Sequence, residues 1–206
     1  MIYPNKKFVS EIAELINNLL TFCKFKISVR KNEISLSCSN NDCKKVILFL
    51  KDNPSFNLDT LIDITAIDYP NETKRFTVVY NLLSVTKNFR IKIKIKVSEQ
   101  ESVSSICDIF SSANWYEREI WDLFGIKFSE HPDLRRLLTD YDFEGHPLRK
   151  DFPLTGHTEV RYSEEEKKVI NESVKLEQNY RNFDYESPWE GTKYIKEEIE
   201  NNDKKN

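Results

Sequence analysis

Apolar side chains recur every three or four residues from Phe8 to Lys24, at Phe8, Ile12, Leu15, Ile16, Leu19 and Leu20. That is the spacing of one helix face. The period then changes to two. Phe25, Ile27 and Val29, and again Ile34, Leu36 and Cys38, alternate with polar residues on either side of Lys31 and Asn32, so the stretch predicts a β-hairpin. A short helix is expected from about Asp42 to Lys51, with Val46, Ile47, Phe49 and Leu50 as its apolar side and Asn53-Pro54 as its stop. Three more strands follow, Leu58 to Tyr69, Arg75 to Leu83 and Phe89 to Val97, separated by turn-forming residues. In the last of them Ile91, Ile93, Ile95 and Val97 point one way, and Arg90, Lys92, Lys94 and Lys96 the other. The basic stripe could meet an anionic partner; the preferred reading is a solvated face whose lysines guard against strand addition.

A helix is expected from Ser102 to Ser112 through Val103, Ile106, Ile109 and Phe110, and a second from Asn114, read as its N-cap. The order α-β-β-α-β-β-β-α predicts an α+β fold: a two-layer domain in which helices cover a mixed, roughly five-stranded sheet. This compact domain is expected to span residues 1–128, with an extended C-terminal arm over 129–206.

The arm differs in character. All four glycines and four of the seven prolines lie from residue 125 onward. The stretch "EGHPLRKDFPLTGH" has neither helical nor strand period, so its order requires something to lie on. Beyond Thr158, "SEEEKKVINESVKLEQN" reads as a polar helix or a loose segment. Tyr180, Phe183, Tyr185 and Trp189 then stand in a region without a core of its own, which suits docking anchors.

Composition narrows the function. The 206 residues carry 31 basic and 34 acidic side chains, a net charge of -3, which gives no general attraction for nucleic acid. No apolar run approaches the roughly 18 to 20 residues that span a bilayer, so membrane association is expected only through a partner. The N-terminus has neither a secretory nor a transit pattern. Cys38 and Cys43 have the first spacing of a plant-type iron-sulfur run but lack its further ligands, and with Cys23 and Cys107 they read as free thiols. Lysine outnumbers arginine 22 to 9 and there are only 3 alanines, a bias that fits AT-rich coding, as in organellar genomes.

An enzyme built on this chain would draw on Glu117, Glu119, Asp122, His131, His146 and His157. No HExxH, HxH or ExxH pairing sets two ligands on one helical face, and no glycine-rich phosphate loop or nucleophile elbow occurs. Glu117, Arg118 and Glu119 are consecutive, about 100° apart around a helix, and diverge. On a helix Tyr116, Ile120, Leu123 and Phe124 share a core-facing side. Arg118 and Asp122, four apart on the opposite side beside Trp121, can pair with each other or with groups outside, as a solvated face or as a buried contact between subunits.

Glu117-Arg118-Glu119, Asp122, Leu123-Phe124, His131, Arg135 and Leu137-Leu138, at these spacings, resemble the signature of the 30-kilodalton (NuoC-type) subunit of respiratory complex I, NADH:ubiquinone oxidoreductase. "GHPLRKDFPLTG", "EVRY" and "FDYESPWEG" extend the likeness, and "DITAIDYP" adds to it more weakly; His157 departs from it, standing where an aromatic residue is more usual. The resemblance implies a non-catalytic subunit of the peripheral arm, supporting electron transfer from NADH through iron-sulfur clusters to ubiquinone coupled to proton translocation. It implies no cofactor in this chain, with FMN and iron-sulfur clusters in partner subunits. The implied partners are the quinone-site (49-kilodalton, NuoD-type) subunit and iron-sulfur subunits. The signature positions Glu117, Arg118, Glu119, Trp121, Asp122, His131, Arg135, Arg136, His146, Pro147, Arg149, Lys150, Asp151, Phe152, Pro153, Tyr185, Pro188 and Trp189 become expected interface residues. With the coding bias, the resemblance points to the matrix side of the mitochondrial inner membrane, ahead of a bacterial or plastid counterpart. Two other readings stand beside it. One is the equivalent subunit of a membrane-bound hydrogenase or plastid NAD(P)H dehydrogenase; the other is a free-standing acid/base or metal enzyme using Glu117, Glu119 and His131.

Overall fold

The structure, a computed structural model, describes residues 6–30 and 33–176. The chain divides after Gly156 into two units. In the first, α1 (Lys6–Leu19), β1 (Phe25–Arg30), β2 (Glu33–Cys38), α2 (Asn40–Asp52), β3 (Thr60–Asp68), β4 (Phe76–Ser84) and β5 (Phe89–Val97) follow in the expected order. The five strands form one mixed sheet, β1-β2-β5-β4-β3, with β2 and β5 parallel and the other neighbours antiparallel.

The alternation in each strand sets the register. Leu36, Ile93, Tyr80 and Ile64 lie directly across from one another on the inner face. The next row is Cys38, Ile95, Val78 and Ala66. A one-residue slip in any strand would turn its apolar set outward, which is why this pairing is specific. Val9, Ile12 and Ile16 of α1 and Cys43, Val46, Ile47 and Leu50 of α2 bury themselves against this face. Ser39 caps α2, its side chain accepting from the Asp42 amide.

The opposite face carries the basic stripe. Lys92 pairs with Glu33 and Lys96 with Glu72.

Several expectations are corrected. α1 stops at Leu19 instead of Lys24, and Leu15 and Leu19 lie partly exposed beside the buried Val9, Ile12 and Ile16. The hairpin's first strand is only partly covered, because β1 is a sheet edge. Residues 102–112 form no helix. Val103–Ser104 is instead a short strand, β6, which pairs in parallel with β7 (Phe128–Ser129) and is followed by one turn that closes from Ile106 to Phe110. The serines decide this: the Ser105 hydroxyl accepts the Cys107 amide, and such side chains compete with helical bonding. α3 (Ala113–Phe124) begins after Ser112, so Asn114 lies inside it and is not its cap.

In the second unit, Thr158–Ser163 (β8) and Lys168–Ser173 (β9) pair as an antiparallel hairpin where a polar helix or loose segment was expected. Arg161 and Glu172 form a cross-strand ion pair. Tyr180, Phe183, Tyr185, Pro188 and Trp189 lie outside the described residues. No helix among the described residues is long and apolar enough to cross a membrane.

Residues 129–156, expected to belong with the arm, group instead with the first unit. The reason lies at the end of α3.

Candidate functional site

The signature residues gather around the last turn of α3. Asp122 is wholly buried. One carboxylate oxygen accepts from Arg136 Nη1 at 2.8 Å and from the Thr139 hydroxyl; the other accepts the amides of Leu137, Leu138 and Thr139 at 3.0, 2.7 and 2.9 Å. Burial works to raise the Asp122 pKa. The Thr139 hydroxyl and the three amides outweigh it and hold the group well below the ordinary carboxylate range. Asp122 therefore does not pair with Arg118, as helical spacing would allow. Arg118 instead donates to the carbonyls of Arg135 and Arg136 at 3.2 and 3.1 Å, bracing the same loop from outside.

A helix leaves its last four carbonyls without intrahelical partners. Here each has one. Trp121 O accepts the Gly125 amide, Asp122 O the Nδ1–H of His146, Leu123 O the Leu148 amide, and Phe124 O the Nε–H of Arg149. The irregular "HPLR" stretch is thus the C-terminal cap of α3, and the Arg149 cation also complements the helix dipole. Gly125 makes the close approach possible. Its φ is +78°, and a Cβ there would lie 2.5 Å from Arg149 Nη2 and 2.6 Å from the His146 ring. Burial lowers the His146 pKa, and Arg149 and Arg136 nearby add to that, while the bond to Asp122 O opposes it. Arg136 lies over the rings of Trp121 and Phe143, and Trp121 meets His146 edge-on.

A second clamp holds residues 149–152. Arg75 grips the buried Asp68 carboxylate at 2.7 and 2.8 Å and Asp151 at 2.8 and 3.1 Å, while the Lys150 amide donates to Asp68 at 2.7 Å. Arg149 pairs with Glu99. Phe152 packs on Phe143 across Gly145, where a Cβ would come within 2.9 Å of the Phe152 ring. Pro147 is half-buried and Pro153 exposed.

Glu117 faces the core. Although wholly buried, it accepts the Ile106 amide at 2.8 Å and the Cys107 thiol at 3.5 Å. Burial raises its pKa, against the opposing bonds from Ile106, Ser105 and Cys107. Cys107, in turn, is pushed up to about 11, chiefly by burial. Cys107, Glu117 and His131 offer ligand atoms within 4.8 Å of one another, a grouping that ligand spacing along the chain did not suggest. Glu119, the third residue of the enzyme reading, is not part of it. Both His131 nitrogens are also engaged: Nδ1 accepts the Asp133 amide at 3.1 Å, so Nε2 carries the proton it gives to Asn114 O at 3.0 Å. Glu117 thus ties the 105–107 turn to α3, and His131 ties the following loop to the start of the same helix.

Among charged neighbours such as Asp133 and Arg135, several large apolar side chains remain outward. Trp115 on α3 is 65% exposed, and Leu138, Tyr141 and Leu154 on the braced loop are 62, 85 and 82% exposed. None of the four was singled out from the sequence for itself. The available signal was that Trp115 lies off the face shared by Tyr116, Ile120, Leu123 and Phe124.

Comparison with known proteins bears on this arrangement. Residues 36–158 match the family model described as respiratory-chain NADH dehydrogenase, 30 Kd subunit. The chain is 48% identical over 187 residues to an NADH-quinone oxidoreductase subunit of Parvibaculum lavamentivorans, covering 91% of this chain and 94% of that one. It is 53% identical over 173 residues to the same subunit of a Ruegeria species, covering 84% and 86% of the two chains. With that of Rhodospirillum rubrum it shares 50% over 183 residues, covering 89% and 86%. A chain in the structure of a membrane-bound sulfane sulfur reductase, an archaeal respiratory membrane complex, shares the fold with a TM-score of 0.59 at 23% identity, over 70% of this chain and 85% of that one. With its signature helix, the matched span and this identity over most of its length, the chain belongs to the family of the 30-kilodalton subunit of respiratory-chain NADH dehydrogenase.

Proposed function

We propose that this chain is a non-catalytic scaffold in the peripheral arm of an NADH:quinone oxidoreductase. In this reading it holds neighbouring subunits in the geometry through which electrons pass from iron-sulfur clusters to quinone. It carries no flavin or cluster; those belong to its partners, chiefly iron-sulfur subunits and the quinone-site, 49-kilodalton subunit. Membrane association comes through the complex. The observation that carries the reading is the exposed apolar set of Trp115 on α3 and Leu138, Tyr141 and Leu154 on a loop that Asp122, Arg118 and Arg75 hold in one shape. Rigid presentation of large apolar side chains suits a binding surface, because little conformational entropy remains to be lost on docking.

The polar signature residues divide the work. Asp122, Arg136, His146 and Arg149 shape the loop from within, while Trp121, Glu119 and the apolar residues outside it meet the partner. The coding bias supports the matrix side of a mitochondrial membrane, whereas the relatives compared are bacterial. Finding the gene on an organellar or a bacterial chromosome decides between them.

The test is co-purification of the assembled complex. The double variant Tyr141→Ala/Leu154→Ala should leave the melting temperature of the isolated chain unchanged and lower its recovery with partner subunits. Unchanged recovery would overturn the docking role. A flavin or cluster spectrum in the purified chain would overturn the scaffold role.

A further inference from the structure

We propose a phosphate-binding site on the open face of the five-stranded sheet, away from the α3 signature. A cavity of about 430 Å³ lies there, lined by five lysines, 24, 26, 74, 94 and 96, together with Ser37, Thr77, Phe25 and Cys38. The register builds it. Lys26 on β1 lies across from Ser37 on β2, and Ser37 across from Lys94 on β5. One row further, Lys96 lies across from Thr77 on β4. Hydroxyls thus lie between lysines that rise from separate strands.

Two observations point to a ligand. Of the five lysines, Lys96 pairs with Glu72 and Lys74 lies 3.9 Å from Glu101. Lys24, Lys26 and Lys94 have no carboxylate partner among the described residues, and Lys94 is half-buried. Thr77, one of the lining residues, is 6% exposed, and its buried Oγ1 has no hydrogen-bond partner. A buried hydroxyl is ordinarily satisfied, and an anion in the concavity would give the three ammonium groups the counter-charge that no carboxylate supplies.

The residue types narrow the class. Arginine's planar fork suits a flat carboxylate, whereas lysine acts as a point charge with three donors. Lysines from separate strands, with Ser37 and Thr77 hydroxyls, can each meet a different oxygen of a tetrahedral anion. The ligand is therefore a phosphate group, borne by a soluble phosphoester or by an anionic lipid headgroup.

The purified full-length chain should bind inorganic pyrophosphate saturably in a calorimetric titration. Lys26→Ala/Lys94→Ala should weaken binding by about tenfold or more, since two charge-assisted bonds are lost. Thr77→Val should weaken it less, and both should keep the melting temperature of the free chain. Lys92, on the same face but paired with Glu33, serves as control, and Lys92→Ala should bind normally. Co-sedimentation with phosphatidylcholine vesicles containing phosphatidic acid separates the sources: vesicle binding that Lys26 and Lys94 control identifies a headgroup, and pyrophosphate binding alone a soluble phosphoester. The proposal is overturned if neither probe binds saturably, if the Lys26/Lys94 pair makes no difference, if Lys92→Ala weakens binding equally, or if polyglutamate competes as well as pyrophosphate.

Discussion

Asp122 and Arg136 form a salt bridge of 2.8 Å whose carboxylate is fully enclosed, and through it the end of α3 sets the path of the following loop. Arg136 also donates to Gly145 O at 3.1 Å, so one guanidinium links the helix to two separated points of the arm. Replacing Asp122 by Asn keeps the volume but removes the charge and sets an NH2 donor against either the Arg136 guanidinium or the Leu137–Thr139 amides, both of which need an acceptor. Asp122→Asn should cost about 3 kcal/mol, in the range of breaking a buried pair. Urea unfolding measures the loss, and limited proteolysis should find new cleavage between Arg136 and Thr139.

Acid should divide three buried carboxylates into two groups whose contributions to stability change with pH in opposite directions. Asp122 and Asp68 have lowered folded pKa values, so their contribution is present above the unfolded value of about 4 and is lost as pH falls through the folded one. Glu117 has a raised folded pKa, so its contribution is present below the unfolded value of about 4.3 and is lost as pH rises through the folded one. Glu117→Gln, which can still accept the Ile106 amide, should therefore gain stability relative to the parent as pH rises above about 4.3. The penalty of Asp122→Asn should shrink as pH falls below about 4. Unfolding curves across pH test both, and parallel slopes for the two variants would contradict the assignment.

Gly125→Ala should be costly for its size. The positive φ disfavours any side chain, and the new methyl meets Arg149 and His146. A loss of about 1 to 3 kcal/mol is expected, with faster hydrogen exchange at the Leu148 amide, whose acceptor is Leu123 O.

Arg75→Ala would leave the Asp68 carboxylate, which is fully enclosed, without its cation. About 3 kcal/mol should be lost. Chemical-shift changes should extend to Lys150 and Asp151, because the Asp68 carboxylate also accepts the Lys150 amide and Arg75 holds Asp151. An effect confined to β3 and β4 would mean that the clamp does not position the arm.

Much of the sheet was legible in the sequence because strand period belongs to each segment's own residues. β5 falls on Phe89–Val97 as expected, since strict alternation of isoleucine and lysine admits no other buried face. The 102–112 segment misled because Val103, Ile106 and Phe110 suit a helix by spacing, while the Ser105 bond and pairing with Phe128 favoured a bridge and a turn. The stretch from Ser163 onward read as a polar helix or a loose segment because its charges hide a short alternation, which pairing with β8 brings out.

The site was legible as a motif but not as a mechanism of assembly. From the sequence alone came the α+β class, the strand order in the chain and the signature helix, since periodicity and residue type act within a few residues. Only the tertiary structure decided that Asp122 turns inward to Leu137–Thr139, that His146 to Arg149 cap α3, and that Cys107 and His131 meet at Glu117. Those approaches join residues 10 to 25 positions apart through a loop without period, and which donor reaches which buried acceptor is fixed by the packed geometry rather than by any local pattern.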